Sequence, residues 1–459
     1  MFDYTQVTAS GINDTLDDAL GEAGRLVAGV VEGGTEPSYE KVLAPVNEVE
    51  DLLVRTYGQT AFMGYVDPDK EVRDAGNAAE ERIQKWAVDL IFRPDFYQAI
   101  KSYSESPEAA ELTGERRRML EFLLRDLRKA GHELAEESRA EVKKLTERLV
   151  ELGVLFQRNI DEHRDHLLVT REDLEGMPES YVEGLEAGDH EGTYKVTMAY
   201  PDVVPFMENS SRRDLRQELS RKFNSRAVEL NRPLLEEAIA ARQRIAEIFS
   251  QPSWAHHQLE EKMAKNPEAV RSFYEALLPG LTEIGQTELG KLTEMLRADG
   301  AEGDLQSYDF RYYDTQLRRR DYGVDPTEVA AHFALQQVID GMFELTGEVF
   351  GLRYRKIDRP SWHPDVLSYA IDDAAGEEIG HFFMDLFPRE GKFSHAAAFP
   401  LIPGRRLADG NYQKPLAAIV ANFTKPGAER PSLLQHQEVE TFFHEFGHIL
   451  HQILTRVEL

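Results

Sequence analysis

The sequence predicts a mainly α-helical protein with a small β-sheet just before its last helix. Three observations predict it. Residues 10–165 carry helical patterns almost throughout. They are clearest where Val142, Leu145, Leu149, Leu152, Phe156 and Ile160 recur at spacings of 3, 4, 3, 4 and 4. Such spacing draws one apolar stripe along a helix predicted from Glu133 to about Asp165. Helical patterns resume near Ser210 and persist to about Phe350. Three short β-prone runs then follow at 366–371, 379–387 and 416–423, separated by the turn-rich "PREGK" and "PGRRLADGN".

The remaining elements follow in chain order. "RRMLEFLLRDLRKAG" reads as a partner helix for the long stripe, closed by Gly131 as its C-cap. The texture changes at "HLLVTREDLEGMPESY", and "TYKVTMAYP" (193–201) is the first stretch with strand character. The predicted division is therefore an N-terminal helical lobe at 1–165 and a second region at 166–459, incomplete at its C-terminus. "TRVEL" at the end supplies no Gly, Asn or Pro to close a helix, so an N-terminal portion of a longer protein is expected.

Composition narrows the chemistry. With 82 acidic against 53 basic residues the net charge is −29, which repels a phosphate backbone and disfavours nucleic-acid partners. The acidity describes a well-solvated surface more than a preference for cationic peptides. There are no cysteines, so disulfides, thiolate metal sites and cysteine nucleophiles are excluded, and a metal can be held only by His, Asp or Glu. The start, "MFDYTQVTASGINDTL", lacks the basic and apolar regions of a signal peptide, and no apolar run reaches membrane-spanning length. A cytoplasmic protein without a membrane partner is expected.

The chemistry-bearing stretch is "TFFHEFGHILHQIL", residues 441–454. Ser432 followed by Gln435 reads as a capping box, with Ser432 the predicted N-cap. At 100° per residue, Val439, Phe442, Phe443, Phe446, Ile449, Leu450, Ile453 and Leu454 fall within an arc of about 140°. His444, His448 and His451 fall on the opposite side, within about 60°. Two imidazoles at i and i+4, kept off the core-facing side, are what a single zinc ion requires. Glu445 lies about 60° round from His448, placed to accept a proton from water at the metal without ligating.

Around this motif, "GHFFMDLFPREGKFSHAAAF", "AAIVANFTKP" and "SLLQHQEVETFFHEFGHILHQ" resemble the thimet oligopeptidase family of zinc metallopeptidases. The likeness is strongest to the thimet oligopeptidase and neurolysin branch, with oligopeptidase A and dipeptidyl carboxypeptidase more distant. "LLVTREDLEGMP", "YKVTMAYPDVVPFMENSSRRDLRQEL" and "YYDTQLRRRDYGVDPTEVAAHFAL" fit as well. The resemblance implies a two-lobed helical oligopeptidase fold, a deep channel admitting only short peptides, and a small sheet next to the zinc helix. It implies endopeptidase activity on short oligopeptides, with one zinc per complete enzyme. His444 and His448 would be metal ligands, and Glu445 the catalytic base.

The pattern is incomplete in one respect. A catalytic zinc usually has three protein ligands, and the resemblance implies a third, a glutamate, beyond Leu459. The H-E-x-x-H-x-x-G-x-x-H plan fails, because His451 and Leu454 occupy the places of its Gly and last His. Glu458, ten residues past His448 on a continued helix, would lie about 15 Å along the axis. A different class therefore stays open: a catalytically silent helical scaffold or peptide-binding remnant. A zinc aminopeptidase could share the helix. Asp385, Arg389, Lys392 and His395 read as a turn held by structural ion pairs, His436 and Glu438 as helix surface, and Tyr312 and Tyr313 as core.

Overall fold

The computed structural model describes residues 2–33, 36–407, 409–427 and 431–459. Helices dominate, as the sequence predicts. Ala9–Gly33 and Tyr39–Gln59 pack on each other and on Pro94–Ser104 and Gly114–Lys129. They do so through a core that includes Val27, Val30, Leu43, Phe96, Ile100 and Leu127. The predicted partner helix ends at Lys129, and Gly131 follows its Ala130 cap at φ +88°, the left-handed conformation that a glycine adopts without penalty. The long striped helix is shorter than predicted, Glu136–Asp161. Its Leu145 and Leu149 meet Ile245 and Trp254 from the helices that follow.

The strands are β1 His166–Thr170, β2 Glu186–Ala187, β3 Thr193–Thr197, β4 Arg353–Ile357, β5 Leu367–Asp372, β6 Glu378–Asp385, β7 Ala397–Ile402, β8 Arg405–Arg406, β9 Tyr412–Gln413 and β10 Leu416–Val420. The first strand is thus β1, not the 193–201 stretch. Tyr200 and Pro201 already belong to a helix, Tyr200–Asn209. β5, β6 and β10 correspond to the three β-prone runs. The turn predicted at 403–411 contains the short β8 and runs up to β9, and its Ala408 lies outside the described residues.

The main sheet has the order β4-β5-β6-β10-β7, with β6 and β10 parallel and every other pair antiparallel. Alternation along the strands explains how it is covered on both faces. Leu416, Ala418 and Val420 of β10, with Phe383 of β6, meet Phe62, Met63 and Trp362 beneath the N-terminal helices. Ala417 and Ile419, with Phe382 and Met384, meet the last helix and the helix Leu335–Phe350 on the other face. Close docking of the last helix requires a glycine. A Cβ on Gly380 would stand 2.8 Å from Ile453 Cγ2 and 3.0 Å from the Pro415 carbonyl oxygen.

Candidate metal centre

The last helix runs His436–Leu454. Its start corrects the sequence reading. The N-cap is Gln435, whose side chain meets the N3 backbone while the Glu438 carboxylate accepts from the Gln435 N–H at 2.8 Å. This is a capping box displaced by three residues. Ser432 is drawn away by backbone pairing. Its carbonyl accepts from Leu335 at 2.9 Å, Leu434 donates to the Phe333 carbonyl at 2.9 Å, and Leu433 bridges Ala334.

The predicted sorting of the helix faces is present in the fold. Phe442, Phe446, Ile449, Leu450 and Ile453 are buried against the sheet, with Phe423 and Phe442 rings 5.5 Å apart. His444, His448 and His451 are exposed. His444 Nε2 and His448 Nε2 are 3.2 Å apart, with the rings nearly perpendicular at 79°. That separation permits a hydrogen bond between the rings. It also suits a shared ion, since two nitrogens bound tetrahedrally at about 2.0–2.1 Å stand about 3.3 Å apart. Two ligand positions therefore fit zinc.

A third ligand is not found. Among the described residues no group of three or more His, Asp or Glu side chains could hold a metal ion. The helix stops at Leu454, so Glu458 does not continue it. The Glu458 N–H donates to Glu115 at 2.7 Å and its carboxylate lies 3.8 Å from Arg116. Glu445 sits at the border of the core, only 9% exposed. No described residue donates a hydrogen bond to its carboxylate, which leaves that group free to work on a guest.

Glu438, expected on the surface, is half-buried. Burial pushes its carboxyl up to about 7, against the capping N–H of Gln435, and the charge of Glu208 adds to the rise. The signal was available, since Gln435-x-x-Glu438 itself has capping-box spacing. A carboxyl whose folded pKa exceeds its unfolded value of 4.5 stabilises below that value and loses the contribution as pH rises through about 7. Between pH 5 and pH 8 the melting midpoint should therefore fall more steeply for the native protein than for Glu438→Gln. The difference in unfolding free energy should change by roughly 2 kcal/mol over that range, and parallel profiles would refute the assignment.

The other candidates are structural. Lys392, wholly buried, donates to Asp385 Oδ1 at 2.8 Å and to the carbonyls of Asp385, Phe387 and Ala421. Arg389 grips both Asp385 oxygens and the Val66 carbonyl, and Trp362 Nε1 donates to Asp385 Oδ2 at 2.7 Å. His395 lies 3.4 Å from the Tyr200 hydroxyl, and burial lowers its pKa, with the charge of Arg226 acting the same way. Tyr313 is buried, and the Arg216 guanidinium lies 4.2 Å from the Tyr312 ring centroid.

Comparison with known proteins gives the family of the chain. Residues 206–459 match the model of peptidase family M3, and residues 22–139 match the neurolysin/thimet oligopeptidase N-terminal domain. A thimet-like oligopeptidase of Dictyostelium discoideum is 33% identical over 92% of this chain and 66% of its own length. Oligopeptidase A of Salmonella typhimurium is 29% identical over 99% of the chain and 69% of its own length. Saccharolysin of Saccharomyces cerevisiae is 29% identical over 91% of the chain and 62% of its own. The chain thus spans about two thirds of the length of these relatives. No helix among the described residues is long and apolar enough to cross a membrane. On the family model matched over residues 206–459, more than half of the chain, and on identity spread along nearly the whole sequence, the chain belongs to peptidase family M3.

Proposed function

We propose that this chain carries the metal helix of a zinc-dependent endopeptidase that cleaves short oligopeptides in the cytoplasm. The observation behind the reading is the pair His444 and His448, with Nε2 atoms 3.2 Å apart on the exposed face of a helix whose other face is core. The relatives bearing oligopeptidase names point to the same substrate class.

His444 and His448 would hold the zinc through Nε2. Bound zinc lowers the pKa of water to about 7 and polarises a scissile carbonyl. Glu445, next to His444 in sequence and nearly buried, takes the proton of the attacking water and returns it to the leaving amine at the same carboxylate. The helix supplies rigidity. Phe442 and Phe446 fix the backbone that carries the histidines against the sheet, so only the exposed rings need to be ordered when the ion arrives.

Zinc competition against a chromophoric chelator tests the ligands directly. His444→Ala and His448→Ala should each weaken zinc binding by at least about tenfold, and unchanged uptake in the double variant would remove the site. An N-terminally blocked, internally quenched peptide tests the reaction. Cleavage at internal bonds should stop with a strong chelator and return with added zinc. Turnover undiminished by chelation would end the proposal.

A further inference from the structure

A second cavity lies away from the histidine helix, between the helix Glu136–Asp161 and the start of the helix Val228–Ile248. Its volume is about 410 Å³, within the range of small-ligand sites. Phe156, Ile160, Phe223 and Leu235 give it apolar walls, and Arg226 and Arg232 bring two cations to it.

Neither arginine is held in an ion pair. Among the described residues no carboxylate lies within ion-pair distance of either. Glu229 and Glu236 stand one turn to each side of Arg232 on the same helix, yet neither pairs with it. Arg226 spends only its Nε, donating to the Phe223 carbonyl at 2.9 Å, and its guanidinium lies 4.0 Å from the Phe223 ring centroid. That stacking orients the planar fork and leaves its terminal nitrogens unused. Asp161 feels the charge of Arg226, but both its oxygens are occupied by the Gln157 amide, and burial pushes its carboxyl up to about 6.

The backbone reinforces the placement. Ala227, between Arg226 and the helix start, is held at φ +52°, a left-handed conformation costly for a residue with a Cβ. The Ala227 carbonyl accepts the first bonds of that helix, from Leu230 at 3.1 Å and Asn231 at 2.9 Å. Asn231, buried, ties the helix to the opposite wall by donating to the Phe156 carbonyl at 3.0 Å. The cavity also connects to the sheet. The Tyr200 ring touches Phe223 at 5.4 Å and His395 at 5.5 Å, just before β7.

From these observations we infer that the cavity binds the free C-terminal carboxylate of a peptide whose last side chains are apolar. An arginine fork suits a carboxylate geometrically, and aromatic walls suit apolar side chains. In a chain of net charge −29, a site for an anionic chain end needs such local cations. The inference rests on the oligopeptidase reading for its ligand class but is tested without turnover.

Fluorescence anisotropy of a labelled peptide ending in two leucines reads binding directly, as the free acid and as the C-terminal amide. The acid should bind roughly tenfold tighter than the amide. Arg232→Met, and Arg226→Met with Arg232→Met, should erase that difference while leaving amide binding unchanged. Arg232 is exposed, so its single variant keeps the test valid if the double variant misfolds. Equal weakening of acid and amide would reduce the cavity to an apolar groove and overturn the inference. Tight binding of an amidated peptide with an acidic last side chain would overturn it too, as would variants without effect. Absence of cleavage would count against the oligopeptidase reading alone.

Discussion

An Asp385→Ala variant is expected to lose about 3–5 kcal/mol of stability, a large share of the roughly 5–15 kcal/mol that holds a typical protein folded. Burial alone would raise this carboxyl, but the hydrogen bonds of Arg389 and the charge of Lys392 hold it below the usual range. Burial also pulls Lys392 down to about 8. With Asp385 low, and acceptors arranged around the ammonium, the pair is ionised at neutral pH. Removing Asp385 leaves an ammonium with 0% side-chain exposure facing only carbonyls, and it frees the Trp362 N–H. The melting midpoint should fall on the order of 10 °C. Adding Lys392→Met should recover part of the loss, because the wholly buried ammonium is gone and only the partly exposed Arg389 guanidinium has lost its carboxylate. A single variant melting within about 1 °C of wild type would show that the cluster is not holding the sheet to Val66.

The cluster matters because of what it joins. Asp385 ends β6, Ala421 follows β10, and the chain after β10 leads to the histidine helix. Through one ammonium the ends of the two parallel strands are tied to the turn that follows β6. Gly391 in that turn, at φ +75°, has Arg73 atoms where a Cβ would stand, so the N-terminal helices press closely on it. The anchoring reaches the histidine helix through Phe423 on Phe442.

Much of this could be read from the residues, and the failures have physical causes. The histidine helix sorts its faces cleanly, because histidine and phenylalanine differ strongly in their preference for water. β5, β6 and β10 stood out as apolar runs because they are interior strands covered on both faces. β4 was missed for the opposite reason. "RYRKI" is an edge strand with no residue fully buried, and its charged side chains guard an open edge. β7 carries Pro400 and also lies at an edge, where proline is tolerated. The helix start slipped from Ser432 to Gln435 because a long-range backbone pairing with residues 333–335 claimed the serine's segment, and local capping preference carries no information about such a partner. The raised pKa of Glu438 likewise owes part of its rise to the charge of Glu208, 230 positions earlier.

Glu445→Gln should lower kcat/KM for a quenched oligopeptide by about 10²-fold or more while zinc affinity stays within about twofold. The two outcomes separate because the substitution is nearly isosteric. Glu445 is 9% exposed, on a helix whose neighbours Phe442 and Phe446 are buried. Glutamine fills the same space and leaves the backbone carrying His444 and His448 in place. What is lost is an acceptor able to take a whole proton and give it back, which an amide oxygen cannot do. His448→Ala should instead lose zinc and turnover together, since it removes one of the two converging nitrogens. If Glu445→Gln lost metal as well, the carboxylate would be holding the ion. If it kept activity, the base would be elsewhere, and the 3.2 Å histidine pair would be a metal site with a different partner for its water.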